Sequence, residues 1–422
     1  MAADPMKSLE GQIMNAETAS RSYHFAGIAE IGEWIRRGDI SPVELVKSSL
    51  QRIERLNPQL NAFITVASDS ALQAAESAAK EIRDGKWRGP LHGLPIGIKD
   101  FYDTAGIRTT AAFEHFRNRV PGRDAACVEK LKKAGAIIIG KTNMHTLGMG
   151  TTGLESCFGS VKNPWDARYI PGGSSSGSAV AVASGLCYAT IDTDAIGSCR
   201  LPAACCGVVG FKATYGLIVL NGILAGEKPP EEEIVRMAHA GITTRSVEDT
   251  AIVLDVIAER TGRGEESFAG SLRRGRALRV GVARDCKADA EVLGAFQGSV
   301  SKIQTLGYPT IDVPVPRVDP SQGISHIGDT SFQDVDVLVL PATTTTVLRV
   351  DEADKPTALS PENTMFANYY GLPAISIPCG FDKHGLPLGL QIVAKPGDEA
   401  AVLMLAHQFE AVTDFGKSHP GL

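Results

Sequence analysis

The sequence predicts an α/β fold: a single domain on a large mixed β-sheet, covered by helices on both faces. Short apolar runs bounded by Gly, Pro or Asp alternate with segments of helical spacing along most of the chain. The 422 residues, 43% hydrophobic and 21% charged, have the composition of a globular protein able to bury a sizeable core. No run approaches the length needed to span a bilayer.

The first 24 residues are polar, lack a signal-peptide core and are expected to form a loosely ordered extension, with the domain proper at 25–415 and a tail at 416–422. Ser41-Pro42-Val43-Glu44 reads as a capping box with proline at the first helical position, and Val46, Leu50 and Ile53 continue at helical spacing. Ser68 to Arg83 reads as a second, alanine-rich helix. Gly89, Pro90, Gly93 and Pro95 then mark a turn-rich passage, the kind of loop in which chemistry tends to sit. Asp124 to Ala134 is helical in pattern, and Ala136 to Ile139 reads as a buried strand of the parallel kind.

Further strands are expected at Leu278 to Ala283, Val337 to Leu340, Ala374 to Ile377 and Leu388 to Val393, with helices at Ser246 to Glu259 and Glu399 to Glu410. The turn Asp382-Lys383-His384-Gly385 joins the last two strands as an antiparallel hairpin. Pro229 to Glu233 reads as a solvated loop in preference to a metal site on its three glutamates, and 314–332 as a linker.

A net charge of −6 gives no reason to expect nucleic acid or an anionic membrane as partner; a small neutral molecule fits better. The eight cysteines are scattered, and Cys205-Cys206 lies in an apolar run, so they are read as reduced thiols in a cytoplasmic protein. No Cys or His spacing suits a metal, and neither metal nor cofactor is expected.

The chemistry concentrates between Tyr169 and Lys212, where PGGSSSGSA leads into an Ala/Val-rich helix from about Ser178 to Ser184 and then TDAIGSCRLPAACCGVVGFK. Glycine and serine at this density let backbone N–H groups approach a ligand. Gly173 to Gly177 also satisfies the Gly-x-Ser-x-Gly elbow, which would make Ser175 a nucleophile. That motif requires a strand just before it and a downstream Asp and His. The preceding residues are loop-like, and His326, His384, His407 and His419 lie in no recognisable setting. A phosphate-binding loop fails because no Gly-Lys-Ser/Thr follows.

GGSSSGSA with TDAIGSCRLPAACCGVVGFKATYG, and GLPIGIKD around Lys99, resemble the motifs of the amidase signature family. GKTNMHTLGMG (140–150), NPWDARYIPGG (163–173) and GLPAISIPCGF (371–381) agree, so the resemblance covers most of the chain. It implies a Ser-cisSer-Lys triad: Lys99 as base, Ser174 as the bridging serine after a cis peptide, and Ser198 as nucleophile. It further implies an oxyanion hole of backbone N–H groups from Ala195, Ile196, Gly197 and Ser198. Asp194, Arg200, Ser175 and Gly173 would support these loops, and Met149 and Gly150 would touch substrate.

The chemistry is self-consistent. A serine hydroxyl needs a base as it attacks an amide carbonyl, and burial of Lys99 would favour the neutral amine that can accept a proton through Ser174. The expected product is an acyl-Ser198 intermediate that water then releases as carboxylate. His92 and His145, the histidines nearest these motifs, are read as structural or rim residues.

Two departures from the family stand out. Its usual Thr-Gly-Gly-Ser is Ala195-Ile196-Gly197-Ser198 here, and isoleucine resists positive φ, so either the loop avoids such dihedrals or Ile196 shapes the pocket wall. The family also carries several dozen more residues between Tyr308-Pro309 and Val337, a stretch that walls the substrate cleft, which bears on substrate selection. Three readings follow: a free-standing amidase acting on a small-molecule amide, a homodimer where it self-associates; the glutaminase subunit of an aminoacyl-tRNA amidotransferase; or a non-catalytic binding protein retaining the fold.

Overall fold

The computed structural model describes residues 23–227, 237–259, 267–316, 318 and 332–422. The Pro229–Glu233 segment, His326, most of the linker at 314–332 and nearly all of the N-terminal extension therefore lie outside the described residues.

The first helices follow local sequence rules. Helix α1 (Ile28–Arg37) buries Ile28, Ile31 and Ile35 and ends at Gly38, whose φ of 83° suits glycine. Helix α2 (Pro42–Leu60) opens on the expected capping box: the Ser41 hydroxyl accepts from the Val43 N–H, and the Glu44 carboxylate accepts from the Ser41 N–H. It runs past Ile53 to Leu60. Strand β1 (Phe63–Val66) and helix α3 (Ser68–Arg83) follow, the latter packing on the sheet through Ala71 and Ala75.

The turn-rich passage ends earlier than its sequence implies, because Pro95 opens strand β2 (Pro95–Lys99). Lys99 thus closes a sheet strand and does not stand in a loop. Gly97 belongs inside that strand because a Cβ there would press at 3.0–3.1 Å on the methyl groups of Thr190 and Thr142. Helix α4 (Ala126–Lys133) leads into strand β3 (Ile137–Thr142). Helix α5 (Ser176–Ala183) starts two residues earlier than expected and is followed by strand β4 (Ala189–Asp194), helix α6 (Arg200–Cys206) and strands β5 (Val209–Lys212) and β6 (His239–Thr244).

The remainder is helix α7 (Val247–Ile257), helix α8 (Phe268–Ser271), strand β7 (Val280–Ala283), helix α9 (Ala290–Thr305), strands β8 (Thr310–Val313) and β9 (Val337–Pro341), helix α10 (Met365–Tyr369), strands β10 (Ala374–Phe381) and β11 (Pro387–Ala394), and helix α11 (Glu399–Ala411).

All these strands form one mixed sheet in the order β1-β3-β2-β4-β6-β5-β10-β11-β9-β7-β8. β3, β2 and β4 run parallel, as do β9, β7 and β8, and antiparallel pairs join the two sets. β10 and β11 form the expected hairpin. Helices α1, α4, α7, α9 and α11 pack on one face, and α5, α6 and the end of α2 on the other. Alternation along β2 sends Ile96 and Ile98 to the first layer and Gly97 and Lys99 towards α5. The eight cysteines are free thiols, Cys205 and Cys206 buried among them. The chain end folds back on the body, with His419 stacked on Phe25 at 4.0 Å between ring centres.

Candidate active site

The parallel strands β2 and β4 end side by side, and the loops beyond their carboxyl ends carry the Gly/Ser motifs, the usual place for a site in an α/β sheet. Lys99 closes β2, has no solvent exposure, and sets its Nζ 2.8 Å from the hydroxyls of Ser174, Ser175 and Thr193. Burial pushes its ammonium group down to about 8, against the attraction of Asp192, Cys199 and Asp194.

The peptide between Gly173 and Ser174 is cis. Gly173 itself is hemmed in: a Cβ there would lie 2.9–3.0 Å from backbone atoms of Gly150, Thr151 and Gly153. The three hydroxyls around Lys99 are not equivalent. Ser175 Oγ donates to the Thr193 carbonyl at 3.3 Å, so towards Lys99 it acts as an acceptor. Ser174 Oγ has no hydrogen-bond partner other than Lys99 among the described residues and is free to donate to a neutral amine.

Ser198 is buried but not sealed, at 3% exposure, and its carbonyl accepts from the Ser175 N–H at 3.0 Å, tying the two serine loops together. Its hydroxyl makes no hydrogen bond among the described residues, to Ser174 or to any other group. Lys99, Ser174 and Ser175 are thus joined by direct hydrogen bonds, and Ser198 through the main chain.

Asp194 and Arg200 build the frame beneath Ser198. They form a fully buried bidentate pair, Arg200 Nε to Asp194 Oδ2 at 3.0 Å and Nη2 to Oδ1 at 2.9 Å. Burial would raise the Asp194 carboxyl, but Arg200, Lys212 and Asn368 outweigh it and hold the group far below the usual carboxylate range. Arg200 also donates to Gln391, Asn368 and the Thr364 carbonyl, and Asn368 donates back to the Asp194 main chain.

The four-residue turn 195–198 divides its N–H groups. Gly197 donates to Asp194 Oδ1 at 2.7 Å, so its N–H is already engaged in this structure. The N–H groups of Ala195, Ile196 and Ser198 have no acceptor among the described residues. Ile196 avoids positive φ; the turn places that demand on Gly197, at φ 128°, where a Cβ would strike the Thr364 side chain. Thr364 in turn donates to the Ile196 carbonyl at 2.5 Å.

Other expected residues sit further out. Met149 is exposed at the end of a short turn beside the Ser174 loop, whereas Gly150 is buried against the ring of His145, which leaves no room for a Cβ. His92 and His145 are buried and not on a rim; the first lies 3.3 Å from Glu81 and the second 3.6 Å from Glu155. Thr193, Thr364, Asn368 and Gln391 were not singled out in the sequence. Thr193 carries a local signal, being the residue before Asp194, but the other three come from distant segments and carry none.

The chain as a whole is similar to known proteins. The sequence profile of the family described as Amidase matches residues 44–328 and 322–403. The chain is 31% identical to a glutamyl-tRNA(Gln) amidotransferase subunit of Carboxydothermus hydrogenoformans over 490 aligned positions, covering 94% of this chain and 99% of the relative. That span exceeds 422 residues, so part of the relative has no counterpart here.

Among solved structures, 6-aminohexanoate cyclic dimer hydrolase complexed with substrate superposes with TM-score 0.82 at 26% identity, covering 94% of this chain and 99% of that one. The native peptide amidase from Stenotrophomonas maltophilia gives 0.78 at 26%, with 92% and 96% covered. The glutamyl-tRNA(Gln) amidotransferase subunit from Thermotoga maritima gives 0.77 at 26%, with 93% and 95% covered. Among the described residues, no helix is long and apolar enough to cross a membrane.

Proposed function

The chain belongs to the amidase family, and we propose that Ser198 is its nucleophile, with Lys99 as base and Ser174 as the relay between them. The enzyme hydrolyses carboxylic amide C–N bonds. The hydrogen-bond pattern around Lys99 carries the assignment of roles. As a neutral amine, Lys99 has two N–H groups to give, to Ser175 and Thr193, and one lone pair to accept from Ser174. Ser174 then accepts the proton of Ser198 as the latter attacks the carbonyl.

The tetrahedral oxyanion is met by the N–H groups of Ala195, Ile196 and Ser198, held in place by Asp194 and Thr364. Collapse expels the amine or ammonia, which takes its proton back along the same chain, and water repeats the attack on acyl-Ser198. Each of the roles assigned to Gly197 and Asp194 is structural: the glycine permits the turn and the carboxylate pins it.

A second reading is favoured by the relatives at 31–32% identity, which are amidotransferase subunits. In that reading the same site works on glutamine and passes ammonia to a partner chain. The free-standing enzyme is preferred here because structural neighbours of comparable coverage include a 6-aminohexanoate cyclic dimer hydrolase and a peptide amidase. We take it to be cytoplasmic, either alone or as a homodimer.

A panel of aliphatic, aryl and peptide amides, with free glutamine included, tests the assignment on the purified chain. Turnover of a simple amide that disappears in Ser198→Ala, by at least about 10⁴-fold with the melting temperature retained, is the expected result. Turnover surviving in that variant would assign the attack to another group, and activity on glutamine alone would favour the second reading.

A further inference from the structure

Behind Lys99 lies a buried carboxylate that the reaction scheme above does not use. β2 and β4 are parallel neighbours with Gly97 opposite Thr190 and Ile98 opposite Ile191, so the next pair in register is Lys99 and Asp192. Gly97, Thr190 and Thr142 share the sheet face beneath α5, and the period of two places Lys99 and Asp192 on that face as well. Adjacent strands stand about 4.8 Å apart, so the lysine stem and the carboxylate run side by side.

Asp192 is fully buried. Its Oδ2 accepts from Thr190 at 2.9 Å and Thr243 at 2.7 Å, while its Oδ1 makes no hydrogen bond of normal geometry among the described residues, the Ser178 hydroxyl of α5 stabilising the carboxylate more loosely. A buried carboxylate with half its acceptor capacity unused is costly unless a positive charge sits within reach. Lys99 is the cation the register supplies.

We propose that Asp192 is a positioning residue for the reaction: it stabilises the ammonium form of Lys99 as the proton arrives from Ser198, and so sets the pH range in which Lys99 acts as a base. The proposal rests on the assignment of Lys99 given above. The groups facing Lys99 can be named from each side. β4 brings Asp192, Asp194 and the Thr193 hydroxyl, the nucleophile turn brings Cys199, the turn after β3 brings His145, and the loop before α5 brings the hydroxyls of Ser174 and Ser175.

Asp194 is already committed to Arg200, and the Cys199 thiol is pushed well above its usual range by burial, so neither serves as the counter-charge. Burial raises the Asp192 carboxyl too, with Lys99 and the hydroxyls of Ser178, Thr243 and Thr190 opposing it. Without the anion, the ammonium of Lys99 becomes harder to form. The amine then remains free at lower pH but is a weaker base.

The test is the pH dependence of Ser198 labelling by a fluorophosphonate probe, read by intact mass, alongside the pH–rate profile on any amide turned over. Asp192→Asn should move the acidic limb of both profiles down by at least about one pH unit and lower the alkaline plateau. Thr243→Val removes one donor from the carboxylate and should move the limb in the same direction by less, with no additional shift in the double variant.

Folded Asp192→Asn or Thr243→Val protein that labels with an unmoved limb overturns the proposal, and if Asp192→Asn fails to fold, Thr243→Val decides alone. Loss of labelling in Lys99→Ala, with the wild-type profile intact, keeps the base assignment separate. Labelling that ignores Lys99 altogether would remove that assignment and not merely the role of Asp192.

Discussion

Lys99 and Lys141 stand on neighbouring strands, both without solvent exposure, and burial pushes both ammonium groups down to about 8. Their surroundings differ in kind. Lys141 lies opposite Ile98 in the β2–β3 register and points to the other side of the sheet. There its Nζ donates to the Tyr102 carbonyl and to the hydroxyls of Thr104 and Thr109, with Asp100 and Asp103 as nearby charges. The carbonyl can only accept, and the Thr104 and Thr109 hydroxyls donate to the Tyr102 and Ile107 carbonyls, so Lys141 is held as a donor that ties the segment after β2 to the sheet. Lys99 faces a serine hydroxyl with no other partner among the described residues and can take a proton from it. A lowered proton affinity is therefore shared by the proposed base and by a structural clamp, and what tells them apart is whether a neighbour has a proton to give.

The sharpest way to break this contrast is to remove each charge. Lys99→Met should cut turnover by at least about 10³-fold with little change in melting temperature. Lys141→Met should do the reverse, destabilising the fold by about 3–5 kcal/mol through the carboxylates it leaves behind, while folded protein keeps its specific activity. Paired activity and thermal-melt measurements decide. A Lys141→Met enzyme that is stable but inactive would place Lys141 in the chemistry.

The hydroxyls give a smaller version of the same contrast. Thr193→Val, which deletes one of the acceptors orienting Lys99, should lower the rate about tenfold and recover in Thr193→Ser. Thr109→Val, which deletes an acceptor of Lys141, should cost about 1 kcal/mol of stability and leave the rate alone. Equal rate losses in the two variants would show that both lysines act through the same network.

How much of this was legible in sequence depends on where the signal lay. Several helices announced themselves through caps and periodicity, as at Ser41 and in the segment from Ser246, whose side chain caps α7 at the Asp249 N–H, whereas α9 was not read from the sequence. Ser174 and Ser198 sit in Gly/Ser-dense motifs, but Lys99 stands in an ordinary strand and only the resemblance of GLPIGIKD to the amidase signature motifs singles it out. Strand β2 was hidden because Pro95 read as the last of the turn residues, although it only opens the strand; Gly97 inside it clears the methyl groups of Thr190 and Thr142.

β4 and β6 were missed for a related reason. Asp192 accepts from Thr190 within β4 and from Thr243 across on β6, all three buried polar residues, so apolar alternation fails there. The seven-residue helix α6 carries a proline and shows no periodicity of its own. Thr364, Asn368 and Gln391 reach the turn 195–198 or the Asp194–Arg200 pair beneath it from more than 160 residues away, and only the folded chain reveals them.

Whether the two lysines truly share a proton affinity can be read from stability in place of rate. In the folded state each ammonium is pushed to about 8, against about 10.5 for the same group in an unfolded chain. Below pH 8 both states hold the proton and the cost of burying the charge is present in full. Between pH 8 and 10.5 the unfolded chain binds more protons than the folded one, so stability rises with pH, by up to about 1.4 kcal/mol per unit for each lysine. Denaturant melts across that window should therefore show a shallower rise in Lys99→Met than in the wild type. Lys141→Met should lose the same share if its amine also sheds its proton. If its slope matches the wild type instead, Asp100 and Asp103 keep Lys141 charged throughout, and the difference between base and clamp extends to the proton itself.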